Sequence, residues 1–593
     1  MRRRRQATQL LGYAGPGLVI TLVFVELVQA TLPLAVITVI GVLVGRVADG
    51  SPVALPLAVL SVLLLAQQLL APLRSAVHFS VTRRVDGEVR SRAMEAACRP
   101  AGIAALEDPT TVDLLTLAGG NIDRHWYATP GGAAAAFVAL GGRYLQVAAA
   151  ALILARVSIP VAVGLVAVVV PSFVLCRRWA GLRIRAYRDT HGMGRASRYT
   201  SGMANTPSYA KETRMFGLLG WLLDRFGGQW DEIAETRFAA SRVAVRQIVV
   251  LVAAVAPLVA VAFVVVGRAA LDGDPDARGL AVALQAALLI VAILDPRTDD
   301  IYQLDFGLAA HDALVQIETT IGGPGGDSGG SRGRDAAGLP SREIRFSGVR
   351  FSYSSDEPVL EGLDLAIPAG LSLAVVGMNG AGKTTLVKLL AGLYEPEAGS
   401  ITVDGIPLGE LDLASWRRQL GVIFQDFVRY ELPASDNVAF GGLHRAGDSA
   451  ALDRAAARTG LTDVVGSLPR GWDTPLARHY TGGADLSGGQ WQRVALARAL
   501  FAVEAGARVL VLDEPTANLD VRAEAGLFEE FLGLTTGLTT ILISHRFSTV
   551  RQADRVCVLD RGQIVEQGTH DDLVAAGGRY AQLFLLQAAR FRG

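Results

Sequence analysis

The sequence predicts two fold classes in series: an all-α transmembrane bundle of six helices, followed by an α/β domain. Three observations carry that division. Apolar residues crowd the first half of a chain that is 51% hydrophobic and 19% charged, and its mean hydropathy of +0.35 is too high for a wholly soluble protein. Near the middle, Gly322-Gly323-Pro324-Gly325-Gly326-Asp327-Ser328-Gly329-Gly330-Ser331 offers no side chains to bury and reads as a flexible linker. From about Arg342 onward, short β-like runs alternate with helical ones. At 593 residues the chain exceeds what one core can hold, and the division falls as 1–316, a linker over 317–341, and 342–588.

The basic start Met1–Arg5 precedes an apolar run, Leu18–Val44. That run is too long for a signal-peptide core and lacks a small-residue cleavage site. It is read as a retained first span. Further apolar runs follow at Val53–Leu73, Ala133–Leu154, Ile159–Leu175, Ile248–Val266 and Leu280–Leu294. A crossing takes about 20 residues, so the fourth and sixth runs need flanking residues, and Asp295-Pro296-Arg297 interrupts the sixth. The long connections Arg74–Arg124 and Arg177–Arg246 are dense in arginine, whereas Asp272–Asp276 is acidic. The positive-inside bias puts both long connections and both termini on the cytoplasmic side of a cell membrane.

Glu26 and Gln29 lie inside the first run. An ionised side chain at mid-span costs about 3 kcal/mol on insertion scales, so Glu26 faces a wet cavity or a partner helix. Asp295, Arg297, Asp299 and Asp300 mark the interfacial end of the sixth helix or line the same cavity. Formal net charge is zero, so no global field favours nucleic acid. Cys98, Cys176 and Cys557 are far apart and suggest neither a disulfide framework nor a zinc site.

In the second half, Gly377-Met378-Asn379-Gly380-Ala381-Gly382-Lys383-Thr384-Thr385 fits G-x-x-x-x-G-K-[ST] between a strand-like and a helical run. Glycines let successive backbone N–H groups converge on phosphate oxygens. Lys383 then reaches the β- and γ-phosphates of ATP, and the Thr384 hydroxyl reaches Mg²⁺. Upstream, Tyr353 could stack on an adenine ring or be a half-buried strand tyrosine. Gln425 follows a strand-like run and could offer its amide oxygen to Mg²⁺ or water. Ser487, Gly488, Gly489 and Gln490 open a helix and form a second anion site. Val509–Asp513 reads as a buried strand, with Asp513 placed to hold Mg²⁺ through water and Glu514 to polarise the attacking water. His545 follows the run Thr540–Ser544, placed to contact the γ-phosphate.

Walker A, Q-loop, LSGGQ signature, Walker B with its glutamate, Ala517-Asn518-Leu519-Asp520 and the H-loop occur in that order. This half resembles the nucleotide-binding domain of ATP-binding-cassette (ABC) proteins. With six spans ahead of it, the chain resembles an ABC half-transporter of the exporter fold. The resemblance implies Gln425, Glu514 and His545 as catalytic residues. It implies Tyr353, Gly377, Asn379 to Thr385, Ser487 to Gln490, Asp513 and Asp520 as nucleotide-binding, and Thr384, Gln425 and Asp513 as Mg²⁺ ligands. It further implies a second half-transporter as partner, in a homodimer or a heterodimer, and ATP-driven export of a peptide, drug or lipid-like substrate. Two other readings stay open: import of a metal-chelate complex, or a membrane ATPase regulating a partner. Glu107–Asp113 and Ala210–Gly217 resemble the coupling-helix regions of such exporters, with Phe216 and Leu218 as apolar knobs. Tyr480-Thr481-Gly482-Gly483-Ala484-Asp485 departs from the exporters' usual sequence and is similar to that of exporters of ribosomally made peptides.

Overall fold

The computed structural model describes residues 2–119, 129–271, 276–292, 299–321, 333–353, 357–514, 537–544 and 550–590. Asp295, Arg297 and the glycine-rich linker therefore lie outside the described residues. The chain forms two compact units, Met1–Ala97 with Pro109–Thr320, and Cys98–Asp108 with Ile321–Gly593.

The chain begins with α1 (Arg2–Ala14), α2 (Pro16–Ala48), α3 (Ala54–Cys98), α4 (Ala104–Glu107), α5 (Pro109–Ala118) and α6 (Pro130–Ala155). It continues with α7 (Ile159–Asp189), α8 (His191–Asn205), α9 (Ala210–Met215), α10 (Leu219–Leu271), α11 (Ala277–Ala292) and α12 (Asp299–Thr320). All but α4 belong to the first unit. Among the described residues, α2, α3, α6 and α10 carry stretches long and apolar enough to cross a membrane, while Ile159–Val169 and Ala277–Ala292 are shorter apolar helices. Their outward faces are apolar, as at Ile20, Phe24 and Val252, which suits a hydrocarbon surround.

Small residues let these helices close on one another, because lipid supplies no hydrophobic drive between them. Ala150, Ala283, Ala286 and Ala287 form one such seam, and a Cβ at Gly41 would come within 2.2 Å of the Val282 side chain. At another crossing, Gly142 of α6 lies against the Glu26 backbone of α2, where a Cβ would sit 3.2 Å from the carbonyl oxygen. Glu26 is only 4% exposed. Its Oε1 accepts from Arg74 Nε at 2.6 Å and faces His78 Nε2 at 2.6 Å. The polar group inside the first span is thus matched by Arg74 and His78 of α3. Asp300 pairs with Arg143 of α6 at 2.9 Å.

The second unit holds two sheets. One is antiparallel in the order β2-β1-β4-β5, built from β1 (Glu343–Ser352), β2 (Pro358–Pro368), β4 (Ala398–Val403) and β5 (Ile406–Pro407). The other has the order β10-β9-β3-β8-β7-β6, from β3 (Ser372–Val376), β6 (Leu420–Ile423), β7 (Val509–Asp513), β8 (Thr539–Ile543), β9 (Arg555–Asp560) and β10 (Gln563–Gly568). Its strands pair in parallel except β9 with β10. Strands β7 and β8 are buried at every position, the pattern of a parallel sheet covered on both faces.

Helix α13 (Lys383–Leu390) packs Leu386, Leu389 and Leu390 into the core shared with Phe346 and Trp416. The short helix α14 (Leu413–Arg418) carries Trp416. A second core lies among α15 (Ala434–Ala439), α16 (Ser449–Arg458), α17 (Thr462–Gly466) and α18 (Gly488–Glu504), around Trp491 and Phe501.

Asp404, at φ +54°, closes the entry to β1. Its carboxylate accepts from the backbone N–H groups of Ser341 (2.7 Å), Arg342 (2.7 Å) and Glu343 (2.9 Å), and from the Ser341 hydroxyl (2.7 Å). Burial alone would raise its pKa, but these donors outweigh burial and bring it down to about 2 from the ordinary 3.8. Asp404→Asn is expected to destabilise the second unit by about 2 kcal/mol at neutral pH. Because the folded-state value lies below the unfolded one, the deficit should be full above pH 3.8 and vanish as pH falls toward 2. Denaturant unfolding of both proteins across that window checks it, and a deficit that persists at the acid end would place the effect in packing instead.

Candidate nucleotide-binding site

The loop Gly377–Thr385 connects β3 to α13, and its glycines are fixed by space and by backbone angle. A Cβ at Gly377 would sit 2.2 Å from the Leu559 carbonyl oxygen, and one at Gly382 2.7 Å from Leu360 Cδ2. Gly382 has φ +103° and Gly380 φ +83°, both in the region that L side chains avoid. The first turn of α13 follows at once, so its unpaired N–H groups face the loop's concavity. Lys383 Nζ donates to the carbonyl oxygens of Gly377 (2.9 Å) and Met378 (3.0 Å). Burial lowers this amine's pKa, while the charges of Glu514 and Asp513 oppose the shift. An anion in the loop would favour the charged amine further.

Thr384 Oγ1 donates to Asp513 Oδ2 at 2.8 Å, which ties the loop to the end of β7. Asp513 is 1% exposed, and burial raises its pKa despite the Thr384 hydrogen bond and Lys383. Next to it, Glu514 sits at φ +45°, a left-handed conformation that costs a non-glycine residue about 1–3 kcal/mol. That backbone turn brings Glu514 Oε2 within 3.2 Å of Gln425 Nε2. A hydroxyl, a buried carboxylate and an amide are hard oxygen donors of the kind Mg²⁺ takes. The charge of a dication would also relieve the raised pKa of Asp513. These residues therefore fit Mg²⁺.

Tyr353 lies just past the end of β1 and is 47% exposed, half-buried at the strand's edge. Its hydroxyl lies 3.2 Å from Thr385 Oγ1, and its ring meets those of Phe351 (5.0 Å) and Tyr394 (5.4 Å) edge-on. Lys388 Nζ stands 5.1 Å from the Tyr353 ring centroid and 5.5 Å from that of Tyr394. The sequence pattern did not single out Tyr394, although Lys388 is one of only three lysines in the chain.

The Tyr394 hydroxyl donates to the Glu107 carboxylate, and burial followed by this bond pushes the phenol's pKa up. Glu107 belongs to Cys98–Asp108, the segment that joins the second unit despite its place in the first half of the sequence. Two further contacts hold that segment. Ile103 N donates to Leu393 O at 3.0 Å, and Arg417 bridges the carbonyl oxygens of Ala101, Ala391 and Gly392. The resemblance of Glu107–Asp113 to a coupling region pointed to this neighbourhood. Nothing in the residues pointed to Tyr394, which lies 287 positions away.

Ser487 caps α18. Its side chain accepts from Gln490 N, and Gln490 Oε1 accepts from Ser487 N at 2.8 Å, a reciprocal capping box. Gly488 and Gly489 form the helix's first turn. No hydrogen bond among the described residues joins Ser487–Gln490 to the Gly377–Thr385 loop. Asp485 pairs with Arg478 at 3.5 Å on the surface. Gly483 is fixed by the Ala477 carbonyl oxygen, 2.1 Å from where a Cβ would stand. Asp520 and His545 lie outside the described residues.

Residues 360–517 match the family model described as "ABC transporter". The second unit is an ABC transporter domain. Curated relatives named "ATP-dependent lipid A-core flippase" match further. The chain is 38% identical over 308 residues to one from Cupriavidus pinatubonensis and 39% over 308 residues to one from Ralstonia nicotianae, in each case 52% of this chain and 50% of the relative. It is 40% identical over 241 residues to one from Alcanivorax borkumensis, 41% of this chain and 40% of the relative. The chain thus spans about half the length of the curated relatives it matches.

Over most of its length the chain has the fold of a solved bacterial Atm1-family ABC exporter with ATP bound. The TM-score is 0.74 at 23% identity, covering 96% of this chain and 98% of the other. It is a multi-pass membrane protein with an ABC domain fused behind its helices. Two glycines of the loop separate steric from conformational demands. Gly382→Ala should weaken binding of a fluorescent ATP analogue more than tenfold, because the new Cβ meets Leu360. Gly380→Ala, with open space around its Cβ, should cost only the backbone strain, about fivefold. Titration of the analogue by fluorescence checks the order, and equal losses would overturn the steric reading of Gly382.

Proposed function

We propose that this protein hydrolyses ATP to drive export of a lipid-like or otherwise amphipathic substrate across the cytoplasmic membrane. The observation that carries the reading is the assembly of Lys383, Thr384, Asp513, Gln425 and Glu514 at one loop of an ABC domain fused to membrane-type helices. The names of its flippase relatives and its exporter fold support the same direction.

The proposed steps use these residues. The backbone N–H groups of Gly380–Thr385 and the Lys383 amine bind the phosphates, and Tyr353 offers its exposed ring to the adenine. Thr384, Asp513 and Gln425 would hold Mg²⁺, whose charge neutralises the phosphate oxygens when bound. Glu514, aligned through Gln425, accepts a hydrogen bond from the attacking water. His545 and Asp520 are proposed to complete the site from their motifs alone.

Ser487–Gln490 form a second phosphate-facing helix start, and we assign them to the ATP held by a second chain, with a homodimer as the simplest case. The tip after α9 supports a partner, because Met215 is 83% and Phe216 71% exposed in the single chain. The nucleotide-binding domain and both termini are assigned to the cytoplasm from the arginine bias of the long connections. Closure on ATP would move the segment Cys98–Asp108, and with it the end of α3, giving alternating access.

Glu514→Gln should lower ATP turnover of the purified full chain at least a hundredfold while leaving nucleotide affinity within about threefold. Normal turnover in that variant would remove Glu514 from its catalytic role. In proteoliposomes, ATP-dependent flux of a labelled amphiphile away from the ATP-binding side tests export. Flux in the opposite sense would make the protein an importer, and turnover without flux would leave an ATPase acting on a partner.

A further inference from the structure

Between Gln425 and Leu432 the chain is neither helix nor strand, so its course depends on contacts from other elements. One such element is α18, through Arg498. The Nη1 and Nη2 of Arg498 each donate to Val428 O at 3.4 Å, and its guanidinium carbon stands 5.1 Å from the Tyr430 ring centroid. Its Nε donates to Asn437 O at 2.8 Å, and Nη2 to Asn437 Oδ1 at 3.3 Å. Asn437, on α15, is fully buried. Its Nδ2 returns to the same segment, donating to the carbonyl oxygens of Tyr430 (2.9 Å), Leu432 (3.2 Å) and Pro433 (3.2 Å).

No carboxylate pairs with Arg498 among the described residues. Its charge is met by carbonyl oxygens and one ring, and burial pulls its pKa below the ordinary 12.5. A buried guanidinium held this way is costly, because carbonyl dipoles return less than a carboxylate would for the lost hydration. The packing of α15 on α18 does not call for the charge. Gly441 already meets α18 backbone to backbone, with Arg498 O 2.0 Å from where a Cβ would stand, and Val438, Leu500 and Phe501 close the same core. What the guanidinium adds is a rigid five-donor fork. It fixes Val428 and Tyr430 together, three and five residues after Gln425.

We propose that Arg498 is a positioning residue for Gln425. By clamping Val428 and Tyr430 to α18, it holds the Gln425 amide within 3.2 Å of Glu514. Arg498 makes no hydrogen bond to the Gly377–Thr385 loop or to Asp513 among the described residues, so it acts through the segment it holds. The inference rests on the roles proposed above for Gln425, holding Mg²⁺ and aligning Glu514.

The test follows two readouts in the purified full chain. The first is amide hydrogen exchange of the peptide spanning 425–432, measured without nucleotide or Mg²⁺. It should quicken about tenfold in Arg498→Gln. The second is ATP turnover as ATP and Mg²⁺ are varied. Arg498→Gln should lower kcat about tenfold, leave KM for ATP at saturating Mg²⁺ within about twofold, and raise the Mg²⁺ concentration for half-maximal rate about fivefold. Gln425→Ala should show the same kinetic pattern, and in the double variant the losses should not add, because both changes remove one interaction. Arg498→Lys keeps the charge without the fork and should recover less than about half of the loss. Arg454→Gln breaks the ion pair of α16 with Glu504 at the end of α18 (2.9 Å) and should change neither readout. If Arg498→Gln does not fold, Tyr430→Leu removes only the ring against the guanidinium and should shift the Mg²⁺ dependence about twofold. Unchanged exchange, losses that multiply in the double variant, full activity in Arg498→Lys, or an unshifted Mg²⁺ dependence in Tyr430→Leu would each overturn the role of Arg498 and leave that of Gln425 standing. Normal turnover and Mg²⁺ dependence in Gln425→Ala would instead remove Gln425 from its proposed role, and Arg498 would have nothing to position.

Discussion

The 2.8 Å hydrogen bond from the Thr384 hydroxyl to the Asp513 carboxylate joins the two parts of the chain on which the candidate site depends. Thr384 begins a helix after β3, Asp513 ends β7, and β8 separates those strands in the sheet. The bond therefore spans a strand that neither residue belongs to. It is possible because parallel strands deliver their C-terminal ends to one edge, where loops and helix starts converge. Asp513 is buried there in a surround that disfavours its charge, so the Thr384 hydroxyl and Lys383 are what make a carboxylate tolerable at that spot. A site built this way holds its charges ready at a cost in stability, and that cost is recovered when charged phosphate and cation arrive.

The same logic explains the strain beside it. Glu514 adopts a positive φ although it carries a full side chain, and its N–H is secured by the Ile543 carbonyl oxygen at 2.9 Å. The hydrogen bond from β8 holds the backbone in a conformation that an isolated glutamate would leave. The result is an acid turned toward Gln425 instead of continuing the strand. Neighbouring acids with different surroundings, one buried against Thr384 and one turned outward, are suited to different tasks.

Much of this was legible in the sequence because it is local. The glycine spacing, the lysine and threonine at the helix start, the run Val509–Asp513 and the Ser487–Gln490 cap are contiguous motifs, and each falls on the element its pattern predicted. The apolar runs of the first half likewise fall on helices. What was not legible is what folding brings together across long separations. Tyr394 has no motif, and only the approach of Glu107 gives its hydroxyl an acceptor. Glu26 could be flagged as out of place in an apolar run, but the choice between cavity and partner was undecidable until α3 placed Arg74 and His78 beside it. In the structure it has both, since the paired carboxylate is also part of a cavity wall.

The segment Cys98–Asp108 is bound into the second unit by side-chain chemistry as well as by backbone pairing. It continues directly from α3, yet its own bonds are to Leu393, Arg417 and Tyr394. Tyr394 in turn touches Tyr353 and shares the Lys388 ammonium with it. A ring that gains a stacked base on its exposed face changes the field felt by Lys388, and Lys388 is also held by the ring that binds Glu107. Under the proposed function, occupancy by a nucleotide base and the seating of Cys98–Asp108 thus become two readings of one aromatic cluster. A loss on either side should be felt on the other, since linkage between two sites that bias one element is reciprocal.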